Sequence, residues 1–299
     1  PPTVKFQNPT SSFTEDQGAV GYNVVLSAPS TKTVTVAYAI TGTSIGPPDS
    51  PKDHDIEGGT LSFAAGVTEL TISGTITDDP YFEDTETLIL TLSAPAFADL
   101  GAVIIHNSSI VDNDPAPTVS FSTASSTEGE NADQVTMTID LDVVSGKDLD
   151  IVYVLAGTST TGSDHNLADG TITIPAGSSS KNIGLQITDD LQDEPDETLI
   201  VTMISADGAI IDLTKDNHTK TIIDNDAAPT IEFSTAAIGV NEDQGAMNIE
   251  VALSVASGRD ISVVYSVSGT TLMPPDPSQD HDLADGVLYI PKGSATGNI

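Results

Sequence analysis

Three segments of this chain open the same way, and that repetition limits the fold more than any other feature. Pro2-Thr3-Val4-Lys5-Phe6 recurs as Pro117-Thr118-Val119-Ser120-Phe121 and as Pro229-Thr230-Ile231-Glu232-Phe233, a period of 115 residues (Thr3 to Thr118) and then 112 (Thr118 to Thr230). A period near 110 is too long for a solenoid unit and matches a whole β-sandwich domain. The chain therefore divides into 1–115, 116–227 and 228–299, the third copy stopping before its last strands.

Landmarks inside each copy keep their order. An acidic turn comes first: Glu15-Asp16-Gln17-Gly18, Glu128-Gly129-Glu130 and Glu242-Asp243-Gln244-Gly245. Alternating apolar strands follow, as at 20–26 and 135–141, then a strand running through Tyr to a Gly-Thr pair (34–43, 151–158, 263–270). A polar loop then holds Asp-His: Asp53-His54, Asp164-His165 and Asp280-His281. Period-2 alternation reads as half-buried strands, and no stretch of helical period exceeds a turn or two. About seven strands per copy with turn signals between them predict an all-β protein, a tandem of immunoglobulin-like antiparallel sandwiches. Only Pro115-Ala116-Pro117 and Ala227-Ala228-Pro229 separate the copies, so the domains are expected to stand end to end.

Thr188-Asp189-Asp190-Leu191-Gln192-Asp193-Glu194-Pro195-Asp196-Glu197 gathers six acids in ten residues and has a twin at 77–86. Both copies keep one register: Asp79, Glu83 and Glu86 against Asp190, Glu194 and Glu197. Acids scattered for solubility have no reason to repeat a register. A hard cation that takes six to eight oxygens does, and calcium is that cation.

Composition excludes several classes. Nine basic residues against 44 acidic ones leave a net charge of −35, which rules out a general attraction to nucleic acid or anionic membrane. Cysteine is absent, so there is no disulfide framework and no thiolate site, which fits an exported bacterial chain. No apolar run approaches a membrane span, and Pro1-Pro2-Thr3-Val4 has no signal-peptide character, so the sequence reads as a window on a longer array.

The ordered set is a glutamate after the first strand, Gly-Thr followed by a loop aspartate, Asp-Asp-x(3)-Glu-x(2)-Glu, and a terminal Asp-Asn-Asp at Asp112-Asn113-Asp114 and Asp224-Asn225-Asp226. It resembles the Calx-beta domain, found in sodium/calcium exchangers, in an integrin beta subunit and in many large bacterial surface proteins. The resemblance implies a sandwich that binds calcium ions in loops at one end. It implies Glu15, Asp53, Asp78, Asp79, Glu83, Glu86, Asp112 and Asp114 as ligands in the first copy. In the second it implies Glu128, Asp164, Asp189, Asp190, Glu194, Glu197, Asp224 and Asp226, and in the third Glu242 and Asp280. Two departures stand out: histidine follows the loop aspartate where the family commonly has an aromatic residue, and Asn113 or Asn225 sits at the centre of the terminal run.

Other readings are blander. The Asp-His pairs recur at one position with no other histidine in register, which favours loop ordering over zinc or catalysis. Nothing resembles a nucleophile elbow, so the chain reads as non-enzymatic. Asn107-Ser108-Ser109 and Asn217-His218-Thr219 match the glycosylation sequon by chance if the source is bacterial. The longer loops Gly46-Pro47-Pro48-Asp49 and Met273-Pro274-Pro275-Asp276 are either partner contacts or ordinary length variation. The expected function is a calcium-rigidified extracellular stalk of a large bacterial surface adhesin, with neighbouring repeats and a cell-surface or matrix ligand as partners. A filament or matrix subunit exchanging strands between chains, and a calcium-sensing module of a membrane transporter, stay open beside it.

Overall fold

The computed structural model describes residues 1–44, 52–241, 243–269 and 280–299. Glu242 and the two Pro-Pro loops lie outside the described residues. The first repeat contains β1 (Thr3–Phe6), β2 (Thr10–Thr14), a one-turn 3-10 helix (Glu15–Gln17), β3 (Ala19–Leu26) and β4 (Val34–Gly42). It continues with β5 (Gly59–Phe63), β6 (Glu69–Thr75), β7 (Glu86–Ala96), β8 (Asp99–Leu100) and β9 (Ile105–Val111). The second repeats this order as β10 (Thr118–Phe121), β11 (Ser125–Gly129), a 3-10 turn (Glu130–Ala132), β12 (Gln134–Leu141) and β13 (Leu149–Gly157). Then come β14 (Gly170–Ile174), β15 (Ser180–Gln186), β16 (Glu197–Asp207), β17 (Ile210–Ile211) and β18 (Asn217–Ile223).

Each complete repeat is two sheets face to face, ordered β6-β3-β1-β8 and β2-β9-β7-β4-β5, with the same arrangement in the second. The alternation explains the core. Strand β3 turns Val20, Tyr22, Val24 and Leu26 inward, and β7 turns Leu88, Leu90 and Leu92 toward them. In the second repeat Val135, Met137, Ile139 and Leu141 meet Leu199, Val201 and Met203. Losing any of these leucines to alanine costs about 2–5 kcal/mol.

The sheets are not purely antiparallel. The first strand breaks into two halves that belong to different sheets. Strand β1 pairs with β8 and β2 with β9, both parallel, and β10–β17 and β11–β18 do the same. A histidine holds each switch. The Nδ1–H of His106 donates to Asn8 O at 2.7 Å and that of His218 to Thr123 O at 2.7 Å. Their Nε2 atoms lie 2.8 Å from the hydroxyls of Ser11 and Ser126. These two histidines occupy equivalent positions, a second register that the sequence reading did not recognise beside the Asp-His pairs.

The Gly-Thr landmark has a steric cause. Gly42 (φ 143°) and Gly157 (φ 121°) sit where a Cβ would overlap the carbonyl oxygens of Thr87 and Thr198. That close approach lets Thr43 N and Thr158 N donate to those oxygens at 3.0 and 2.8 Å, clamping the strand to the end of the acidic loop.

The third repeat contains β19 (Ile231–Phe233), β20 (Glu250–Leu253), β21 (Ile261–Tyr265), β22 (Gly286–Ile290) and β23 (Thr296–Asn298). Its core is Val251, Leu253, Leu288 and Ile290. Phe233 is 57% exposed, whereas its counterpart Phe121 is 1% exposed and lies against His218; among the described residues the third repeat has no counterpart of β16 or β18.

Candidate metal centres

Carboxylates from four separate stretches meet at one pole of each complete repeat. The 3-10 turn after β2 presents Glu15, which is buried. The residues after β9 present Asp112 and Asp114, two apart and so on one side of an extended chain. The loop before β5 brings Asp53, and the acidic ten-mer brings Glu83 and, as the first residue of β7, Glu86. His54 is buried and pairs with Ile76, while Thr77 N donates to Asp53 O at 2.8 Å, so the Asp-His element anchors its loop to the core.

These side chains form two triads per complete repeat, four in all among the described residues. Glu15, Asp112 and Asp114 make one and Asp53, Glu83 and Glu86 the other; Glu130, Asp224 and Asp226, and Asp164, Glu194 and Glu197, repeat them. Each residue offers an oxygen, and within a triad these atoms all lie within 4.8 Å of one another. At that spacing two full charges repel by about 3 to 4 kcal/mol at an effective dielectric of 20.

Burial first, and then that repulsion, raise the pKa of five of the glutamates. Burial, and then Asp79, push Glu15 up to about 7. Burial and the charges of Asp79 and Asp53 push Glu83 to about 7, and burial with Asp53 takes Glu86 to about 8. Burial is also the largest cause at Glu130 and Glu197, both about 7, with Asp190 and Asp164 next.

The loops are ordered by the same carboxylates. Glu83 N donates to Asp112 Oδ2 at 3.0 Å and Glu194 N to Asp224 Oδ2 at 3.1 Å, tying the ten-mer to the last strand. The second oxygens of Asp114 and Asp226 are buried and have no hydrogen-bond donor. A buried anionic oxygen without a partner is costly, and a cation is the partner that fits an all-oxygen donor set. In the second repeat Glu130, Asp224, Asp164, Glu194 and Glu197 line one cleft, so both triads open into a shared space.

Asp79 is half-buried beside the first triad, its N–H donating to Glu15 Oε1 at 3.3 Å. Asp78, Asp189 and Asp190 are exposed at the rim, where Asp189 accepts from Asn225 Nδ2 at 3.0 Å. Asp280 is exposed on the loop before β22.

In the structure Glu128 stands apart from these carboxylates, contrary to the ligand role that the resemblance implies. It lies on β11, outside the triads, and its carboxylate is 3.6 Å from the ammonium of Lys220. Its neighbour Glu130 takes the position of Glu15, at the 115-residue offset of the repeat. Lys220 is fully buried where the first repeat has Ser108, and Met137 stands where that repeat has Tyr22. A buried lysine and a methionine thus stand where the first repeat packs a serine and a tyrosine. Because Glu128 stays partly solvated, Lys220→Met is expected to leave stability unchanged or raise it by about 1 kcal/mol. A loss beyond about 2 kcal/mol in urea unfolding would contradict that packing account.

Sodium/calcium exchanger 1 from Rattus norvegicus is 30% identical over 194 residues, covering 56% of this chain and 20% of that protein. The exchanger from Canis lupus familiaris is 28% identical with the same coverage, so the chain spans a fifth of the length of these relatives. The crystal structure of calcium binding domain CBD12 of CALX1.1 aligns at 22% identity and a TM-score of 0.34, covering 69% of this chain and 81% of that one. The model of the Calx-beta domain matches residues 1–110, 112–223 and 224–280. With three matches spread along nearly its whole length, the chain belongs to the Calx-beta domain family.

Proposed function

We propose that this chain is a non-enzymatic calcium-binding region whose ions stiffen a row of repeats, serving as an extracellular stalk of a large surface protein. The observation that carries the reading is the pair of carboxylate triads at each pole, one of which holds a buried, donorless aspartate oxygen, at Asp114 or Asp226. Tandem copies joined by proline-containing junctions and the absence of cysteine support the stalk. Among the described residues no helix is long and apolar enough to cross a membrane. A second reading, a calcium-sensing module of a transporter, is favoured by the similarity to sodium/calcium exchanger 1.

Calcium titration of two neighbouring variants tests the site. Glu130→Gln removes a triad carboxylate and is expected to weaken binding in the second repeat about tenfold or more. Glu128→Gln should leave calcium affinity unchanged. Equal affinities for both variants would remove the triad from the account. Antibody labelling of intact source cells separates the two readings: surface staining supports the stalk, and sodium-coupled calcium transport by the full-length protein supports the second.

A further inference from the structure

Each repeat carries a Ser-x-basic turn on the face opposite its acidic pole: Ser30-Thr31-Lys32, Ser145-Gly146-Lys147 and Ser257-Gly258-Arg259. The turns share one geometry. The basic residue's N–H donates to the serine Oγ at 3.0 to 3.1 Å, and the serine carbonyl accepts from Gly66, Gly177 or Gly293. In the second and third repeats the preceding repeat's ten-mer sits on this turn. Gly146 N and Ser145 Oγ donate to Phe82 O at 3.0 and 3.1 Å. Gly258 N and Ser257 Oγ donate to Asp193 O at 3.0 and 3.2 Å. Lys147 pairs with Asp84 and lies over the Phe82 ring at 4.9 Å, and Arg259 pairs with Asp193 at 3.3 Å.

The backbone does not explain the glycines. Neither Gly146 nor Gly258 has a positive φ, and Thr31 occupies the same turn in the first repeat. What requires them is the neighbour: a Cβ at Gly146 would overlap the Glu83 carboxylate and one at Gly258 that of Glu194. Glu83 could move aside only by leaving Asp53 and Glu86.

The first repeat differs at a second point. Phe97 stands at φ 60°, a strained conformation for a bulky residue, where the second repeat has Gly208 at φ 78°. Lys32 lies over the Phe97 ring at 4.8 Å, as Lys147 lies over Phe82. A Cβ on Gly208 would stand 3.0 Å from Lys147 Cε and 3.5 Å from the Phe82 ring. Phe97 thus puts an aromatic ring of the first repeat's own under its basic residue, where the second repeat uses the ring of its neighbour.

We infer that the Ser-x-basic turn is a socket for the acidic loop of a preceding Calx-beta repeat, open where x is glycine and shut in the first repeat by Thr31 and Phe97. The first repeat therefore heads a docked segment, whatever precedes residue 1, and glycine at this position marks which repeats form a rigid joint. The inference rests on the calcium reading only for the cost of displacing Glu83; the Phe82 contact needs no ion.

The test grafts the first repeat's closure onto the second in the full chain, as G146T/G208F, with G146T alone as the milder variant. Since the chain has no cysteine, S73C/K181C places spin labels on exposed positions of the first and second repeats. The native pair should give one narrow distance distribution in calcium, and the double variant one about twofold wider. Cooperative melting of each variant shows that the repeats still fold. A distribution as narrow as native, with an unchanged calcium titration, would overturn the socket. A native distribution equally narrow in chelator, with G146T/G208F still broad, would support the socket and count against calcium-stiffened joints.

Discussion

Chelating divalent cations should lower the melting temperature of the complete repeats by on the order of 20 °C. An ion present at a hundred times its dissociation constant stabilises by about 2.7 kcal/mol per site. Two triads in a repeat double that figure, and a domain of this size shifts by about 4 °C per kcal/mol. The cause is local. Glu15 and Asp53 are buried against strands that already carry the core, so releasing the ion leaves charge that can only be protonated or exposed. Magnesium should replace calcium poorly, since it demands a tight octahedron and sheds water reluctantly, whereas spread carboxylates at one pole suit a larger, more flexible shell. Differential scanning calorimetry with calcium, with magnesium and with chelator checks both statements. A chelated protein melting within about 3 °C of the calcium form would contradict them.

The dependence of stability on pH should reverse with calcium. In the ion-free protein Glu15, Glu83, Glu130 and Glu197 titrate near 7 and Glu86 near 8, against an ordinary value of 4.5. The folded state therefore binds more protons than the unfolded one across this window. The stability these groups contribute is complete below about 4.5 and is lost as pH rises through 7 to 8. Buried His54, His165 and His218 act oppositely, since burial lowers each, and their contribution is lost as pH falls below 6.5. Ion-free protein should thus lose at least about 2 kcal/mol between pH 6.5 and 8, after allowing for solvent screening of half-exposed groups. With calcium bound the carboxylates are ionised in the folded and the unfolded state alike, so their contribution is flat over this interval and the buried histidines leave a small rise. Urea unfolding at pH 6.5 and 8 measures both slopes. Parallel slopes with and without calcium would mean that the ion does not sit among these glutamates.

Much of this architecture was legible because period-2 alternation writes the core directly: every second residue of β3 and β12 is buried. The repeated ten-mers and the Asp-Asn-Asp ends likewise pointed to one pole. The break of the first strand into β1 and β2 was not legible, since both halves alternate normally and only His106 and His218 mark the switch. Glu128 is the first acid of its turn and so resembles a ligand in the sequence, but the 115-residue offset from Glu15 falls on Glu130. Gly146 and Gly258 look like ordinary turn glycines. Their reason lies in the preceding repeat, so no local pattern reveals it.

The most direct test of the central claim is a calorimetric calcium titration of the chelated full chain at pH 7, in two buffers of different protonation enthalpy. Uptake of at least one ion for each of the four described triads is expected, with release of about three protons per chain from glutamates titrating at 7 to 8. Absence of saturable uptake up to about 10 mM calcium, roughly tenfold above the range of weak extracellular modules, would leave the poles as solvated acid and contradict the account.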